Sequence, residues 1–239
     1  MKNLLEEQEE RVKIPFRRDL LEAARDFYFL LNRGYKRKSS LDLVSSRYLL
    51  SREERLILYR SIFSREISEN RLKKLVNVED IRGKIIVVDV FNLTSTTVSS
   101  MLRDTLVLGT DRIIRDIAAT RRKIRYREIY ISGMIISFLF IYRFSPLKVI
   151  AVFDAPISKS AEFAVILKEI CKNLDMDCEV ILSKHADTDI IRLSGVYDAI
   201  TVSSDSVVID KVERIVDLGG LIANILSHES IIEIGESLR

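Results

Sequence analysis

Apolar residues at Leu20, Leu21, Ala24, Phe27, Tyr28 and Leu31 recur at intervals of three and four, the repeat of a helix with one buried face. Asn32-Arg33-Gly34 follows as a stop, since glycine enters the left-handed conformation at a helix end without steric cost. Ser39-Ser40-Leu41-Asp42 and Ser51-Arg52-Glu53-Glu54 each offer a capping hydroxyl and a first-turn acid, and they predict two further helix starts. Residues 17–76 therefore read as helical throughout. The charged stretch 77–84 is the natural boundary, which gives a helical module over 1–80 and a second unit over 81–239.

Past that boundary the period changes. Ile85-Ile86-Val87-Val88-Asp89 is an unbroken apolar run ending in a carboxylate, the pattern of a parallel strand covered by helices on both faces. Val149-Ile150-Ala151-Val152-Phe153-Asp154 repeats it, and Ala199-Ile200-Thr201-Val202-Ser203-Ser204-Asp205 repeats it again. Glu179-Val180-Ile181-Leu182 and Leu221-Ile222-Ala223-Asn224 complete five predicted strands. Amphipathic segments such as 159–174 and 207–216 lie between them. Strands alternating with helices predict an α/β unit, a doubly wound and mostly parallel five-stranded sheet of Rossmann-like type, preceded by a small all-α module.

Composition narrows the class. With 47% apolar and 31% charged residues, and only 8 Gly and 3 Pro in 239, the chain is a globular protein and not a low-complexity one. Cys171 and Cys178 are too few for a disulfide scaffold or a four-ligand zinc site, and no basic start precedes an apolar leader, so the expected compartment is the cytoplasm. The longest apolar run, 129–142, falls short of the roughly 20 residues that span a bilayer and predicts a buried core helix, with no membrane partner. A single Gln, no Trp and abundant Ile, Arg and Glu resemble the bias of heat-adapted proteins. Neither G-x-G-x-x-G nor G-x-x-x-x-G-K-[ST] occurs, which argues against a nucleotide-dependent enzyme.

The carboxylates at the strand ends carry the chemistry. In an open parallel sheet the loops leaving the carboxyl ends of the strands share one crevice, so Asp89, Asp154 and Asp205 are expected to converge there. An Asp after a strand often does no more than cap the next helix. Three together repel one another, and an oxygen-only set of that kind suits Mg²⁺ or Mn²⁺. Asn92, three residues after Asp89, is placed to orient a carboxylate or a phosphate oxygen, and Asp187 begins a helix after the fourth strand.

These residues carry a resemblance. Val87-Val88-Asp89-Val90-Phe91-Asn92, Phe153-Asp154-Ala155, Lys184-His185-Ala186-Asp187 and Ser203-Ser204-Asp205-Ser206 stand in an order and spacing that resembles PIN-like nucleases, especially the NYN branch, over about residues 84–225. The resemblance implies a PIN-like fold and a metal-dependent endoribonuclease, with Asp89, Asp187 and Asp205 as metal ligands and Asn92 and Asp154 beside them in the catalytic group. Val207 stands where that branch often carries another Asp, and Asp210, one turn later, is the substitute. The whole chain also resembles an uncharacterised archaeal family. His185 and His228 are too few and too far apart in the chain for metal-free, paired-histidine ribonuclease chemistry.

Charge is unevenly spread: 18 basic against 14 acidic residues over 1–80, 12 against 5 over 81–148, and 8 against 16 over 149–239. Arg112, Arg115, Arg121, Arg122, Lys123, Arg125 and Arg127 crowd the basic middle, opposed there only by Asp116. A solvated helix surface is the plainer role for such a run, but its single sign next to an acidic crevice points to RNA phosphates. Lys36, Arg37 and Lys38, on an expected loop, and Lys159, just after the second strand, are further phosphate candidates, and the helical module is expected to add substrate grip or a dimer contact. Tyr126 and Tyr130 are candidates for base stacking or, more simply, for the core. Two alternatives stand beside the nuclease: a catalytically silent RNA-binding or scaffold protein, and a haloacid-dehalogenase-like phosphatase. In the phosphatase, Asp89 would be the nucleophile, Lys184 would balance charge, Asp205 and Asp210 would hold Mg²⁺, and residues 95–145 would form a cap; Phe91, however, occupies the place of its general acid.

Overall fold

The computed structural model of the protein describes residues 17–117 and 127–235. It opens with helices α1 (Arg18–Asn32), α2 (Arg37–Arg47), α3 (Arg52–Ser61) and α4 (Arg65–Leu72). Then come β1 (Ile85–Asp89), α5 (Val90–Met101), a hairpin of β2 (Leu106–Leu108) and β3 (Ile114–Asp116), α6 (Arg127–Arg143) and β4 (Lys148–Asp154). The remainder is α7 (Ser160–Asn173), β5 (Cys178–Ser183), α8 (Ala186–Val196), β6 (Ile200–Val202), α9 (Ser206–Lys211), β7 (Ile215–Val216), α10 (Leu218–Ser227) and β8 (Ile231–Glu233).

Local chemistry explains most of the boundaries. Gly34 leaves α1 at φ 81°. The Ser51 hydroxyl accepts from the Glu54 amide and the Glu54 carboxylate accepts from the Ser51 amide, which closes a capping box on α3. The expected start of α2 at Ser39 is corrected to Arg37. Ser40 turns its hydroxyl back onto the Lys36 carbonyl at 3.0 Å, the bond of a serine inside a helix and not of a cap.

The main sheet runs in the order β5-β4-β1-β6-β7, with every neighbouring pair parallel. Alternation along β1 sends Ile86 and Val88 to one core, shared with Phe138, Phe163 and Ile222, and Val87 to another, shared with Ile190, Val208 and Ile209. Helices therefore cover both faces, as the continuous apolar strands require. The fifth strand is Ile215–Val216, and the expected strand at 221–224 is corrected to helix α10. A short buried apolar run carries no period that separates the two states. Asp217 caps this helix, and Gly219 lets it lie against Thr96 of α5, where a Cβ would come within 3.1 Å of Thr96 Cγ2.

A second sheet, β3-β2-β8, has no counterpart in the sequence reading. Leu20, Phe27, Leu41, Ile57 and Leu58 of the opening helices share a core with Val107, Ile117 and Ile234, so the helices rest on this small sheet. The long apolar run becomes α6, with Tyr130, Met134, Phe138 and Ile141 buried and Ile135, Leu139 and Tyr142 exposed. Among the described residues no helix is long and apolar enough to cross a membrane. The two cysteines do not build a scaffold, but they do pair: a disulfide joins Cys171 of α7 to Cys178 at the start of β5.

Candidate active site

Strand order reverses between β1 and β6, the place where open α/β sheets form a crevice. Asp89 ends β1 and caps α5, accepting from the Asn92 amide at 3.2 Å, while its second oxygen accepts from the Ser203 hydroxyl at 3.0 Å. The Asn92 Oδ1 accepts from the Ser204 amide at 2.8 Å and its hydroxyl at 3.0 Å. Asn92 thus holds the loop after β6 against the end of β1. Asp205 caps α9 through the Val207 amide at 2.7 Å.

Asp154 ends β4 at the neighbouring strand, and Asp187 lies exposed in the first turn of α8. Asp187 is not the cap of that helix. Asp189 is the acid held locally, by the Ser183 hydroxyl at 2.6 Å and by Arg192. Among the described residues, Asp89, Asp154, Asp187 and Asp205 form no ion pair.

The carboxylates feel one another. Burial pushes Asp89 up to about 7, against the bonds from Asn92 and Ser203, and the charges of Asp205 and Asp187 push it further the same way. Partial desolvation beside the crevice also raises Asp187, exposed as it is, reinforced by Asp205 and Asp154 and opposed by Lys211. The donor chemistry, oxygen-only and without a cation partner, fits a hard divalent ion. Among the described residues, though, no three His, Cys, Asp or Glu side chains gather closely enough to hold one. The group is coupled in charge without converging on a point.

Several expected site residues lie elsewhere. Asp210 is corrected as a metal donor: its two oxygens accept from Arg71 Nε and Nη2 at 2.7 and 2.9 Å, so its charge is already matched. Arg37 is corrected as a loop cation. It opens α2, donates to the carbonyls of Ile62 and Tyr59, and stacks over Phe27, Tyr59 and Phe63. Burial there lowers its pKa to about 10. Arg115 is buried in a salt bridge with Asp111, and Arg127 pairs with Glu162. Lys36, Lys38 and Lys159 are exposed, the last at a left-handed φ of 66° just before α7. Arg121, Arg122, Lys123, Arg125 and Tyr126 lie outside the described residues. Tyr130 belongs to the core, packed on Phe91 and Phe163 with ring centroids 5.6 and 4.8 Å away.

One crevice carboxylate escaped the sequence reading. Asp217, following β7, accepts from the Ile114 and Gly220 amides at 2.8 Å each, and burial raises it to about 6. With Asn92, Thr96, Ser203 and Ser204 it lines a cavity of about 10 Å³, the size of one water. The signal was present: Ile215-Val216-Asp217 repeats the apolar-then-acid form of the other strand ends, in a run too short to count as a strand.

Residues 78–221 match a domain family of unknown function, DUF5616, and residues 19–74 match a second family of unknown function, DUF434. Over 198 residues the chain is 31% identical to uncharacterized protein MJ0935 of Methanocaldococcus jannaschii, a match covering 82% of this chain and 92% of that protein. The chain belongs to the DUF5616 family. No solved structure matches it. Asp89, Asp154, Asp187, Asp205 and Asp217 all fall within the DUF5616 segment, whereas Arg71, which holds Asp210, falls within the DUF434 segment.

Proposed function

We propose that the protein is a divalent-metal-dependent nuclease of PIN-like type that hydrolyses RNA phosphodiesters. The observation that carries this reading is a set of carboxylates at neighbouring strand and helix ends, Asp89, Asp154, Asp187 and Asp205, whose charges reach one another and which form no ion pair among the described residues. Burial and the charges of Asp205 and Asp187 push Asp89 up to about 7, a setting in which a bound divalent ion would favour the ionised carboxylate.

Asp89, Asp187 and Asp205 would hold Mg²⁺ or Mn²⁺. Bound there, the ion would lower the pKa of a coordinated water and neutralise charge on a scissile phosphate. The chain's own residues do the positioning. Asn92 fixes the Ser203-Ser204-Asp205 loop, and Ser203 holds one Asp89 oxygen by donating to it, which leaves the carboxylate acceptor capacity for a metal. Lys159, Lys184 and Lys211 are exposed cations on loops or helix ends following β4, β5 and β6, and they suit a polyanionic substrate.

The open spacing of the carboxylates favours one second reading, a silent RNA-binding protein on the same fold. The phosphatase has less support, because Phe91 packs edge-on against Phe153 at 5.4 Å and Asp210 is committed to Arg71. The deciding measurement is Mn²⁺-dependent cleavage of single-stranded RNA by wild type, Asp89→Asn and Asp205→Asn. Loss of about a hundredfold or more in each variant is expected for a lost metal ligand. Equal residual cleavage in all three removes the nuclease reading, and RNA binding without any cleavage selects the silent binder.

A further inference from the structure

Arg71, Asp111 and Arg115 form a line of charge through the interior, 3%, 0% and 4% exposed at the side chain. Arg115 grips Asp111 with two N–H groups at 2.8 and 2.7 Å, and Arg71 donates to the same carboxylate at 2.8 Å. Both guanidinium groups lie over the Phe63 ring, at 4.0 Å for Arg71 and 5.0 Å for Arg115. Burial pushes the Asp111 carboxyl up, but the two cations outweigh it and hold it below the usual carboxylate range.

Each end of this line touches the loop and helix that carry Asp205. Arg115 Nε donates to the Ser204 carbonyl at 3.1 Å, one residue before Asp205. Arg71 takes both oxygens of Asp210 in α9, and Lys74 donates to the carbonyls of Ile209 and Asp210 at 3.0 and 2.9 Å. Helix α9 has six residues, too few to be stable by its own hydrogen bonds. Ser204 is fastened from both sides, by Arg115 through its carbonyl and by Asn92 through its amide and hydroxyl.

We propose that Arg71 and Arg115 are positioning residues, and that through Arg71, which joins Asp111 and its partner Arg115 to α9, the N-terminal helical segment sets where Asp205 stands relative to Asp89. The inference rests on the reading of the crevice as the site of chemistry, and it makes the DUF434 segment a working part of that site. Neither arginine touches the crevice carboxylates; they act on the backbone and helix that present Asp205.

The test uses the full chain, with amide hydrogen exchange resolved over residues 204–210 and steady-state kinetics of Mn²⁺-dependent RNA cleavage. Asp210→Asn is the gentle variant, since Asp210 is half exposed and Arg71 keeps Asp111; Arg115→Lys is the second. Both are expected to speed exchange over 204–210 by about tenfold while β1 and β4 keep theirs, and to lower kcat with KM nearly constant. Asp210→Glu restores both values. Arg55→Ala, which breaks an exposed pair with Asp42, moves neither. Unchanged exchange over 204–210 in folded Asp210→Asn and Arg115→Lys overturns the proposal, and so does faster exchange with an unchanged kcat. A wild type that cleaves no RNA overturns the reading of the crevice instead, and the exchange measurement then decides the tether alone.

Discussion

At the scale of single residues, the informative side chains are acids whose charge the fold opposes. Asp217 is half-buried and raised to about 6 although two amides donate to it. The unfolded chain ionises this group near its ordinary value of 3.8, so between about pH 4 and 6 the folded state binds the extra proton. Stability from this residue is therefore present in full at low pH and is lost as pH rises through 6. Its size is about 2–3 kcal/mol at 1.36 kcal/mol per pKa unit. Asp217→Asn, which sacrifices one of the two amide bonds, is expected to be less stable than wild type at pH 4 and to recover against it as pH rises, levelling off above pH 7. Urea unfolding of both proteins across that range measures the gap; a gap independent of pH would show that Asp217 titrates alike in both states. Asp89 follows the same sign for the same first reason, burial, with the crevice charges added.

At the scale of elements, the contact between α5 and α6 depends on what is absent from Gly133. A Cβ placed there would come within 2.5 Å of Val98 Cγ2, so the two helices approach through the missing side chain. Helix propensity favours Gly133→Ala by up to about 1 kcal/mol, whereas overpacking costs about 1–3 kcal/mol. The steric cost is larger because Val98 is buried and α5 is packed on its other side by α10. The substitution is expected to lower stability by about 1–2 kcal/mol, and the double variant with Val98→Ala is expected to be less than additive. Chemical denaturation of the four proteins in that cycle checks both statements.

At the scale of the whole molecule, the two matched families do not behave as separate beads. The opening helices share a core with β2 and the segment after β8, Leu75 bridges to Ile215 at the edge of the main sheet, and Arg71 reaches Asp111 and Asp210. One calorimetric transition is therefore expected for the full chain. Asp111→Asn, which leaves the buried Arg115 without a carboxylate while Arg71 keeps Asp210, should lower that single transition as a unit, at a cost of about 3–5 kcal/mol. Two resolved transitions, with only one moved by the substitution, would mean that the helices and the sheet fold independently.

The alternation of apolar runs and amphipathic segments was enough to specify helices followed by a parallel sheet, because periodicity and strand-end acids are local properties of the chain. It was enough to place Asp89, Asp154, Asp187 and Asp205 at the ends of strands or the starts of helices, where the structure has them. Periodicity could not tell α10 from a strand, nor find β7, whose two residues carry no repeat. It also read Asp210 and Arg37 as available charges, because a free cation and one buried against a ring or a carboxylate are identical in the sequence. Tertiary packing decided those cases: which charges meet, which face solvent, and that a helical segment far away in the chain grips the helix that Asp205 caps. Pairing of that kind depends on distances between residues more than a hundred positions apart, and no local pattern encodes them.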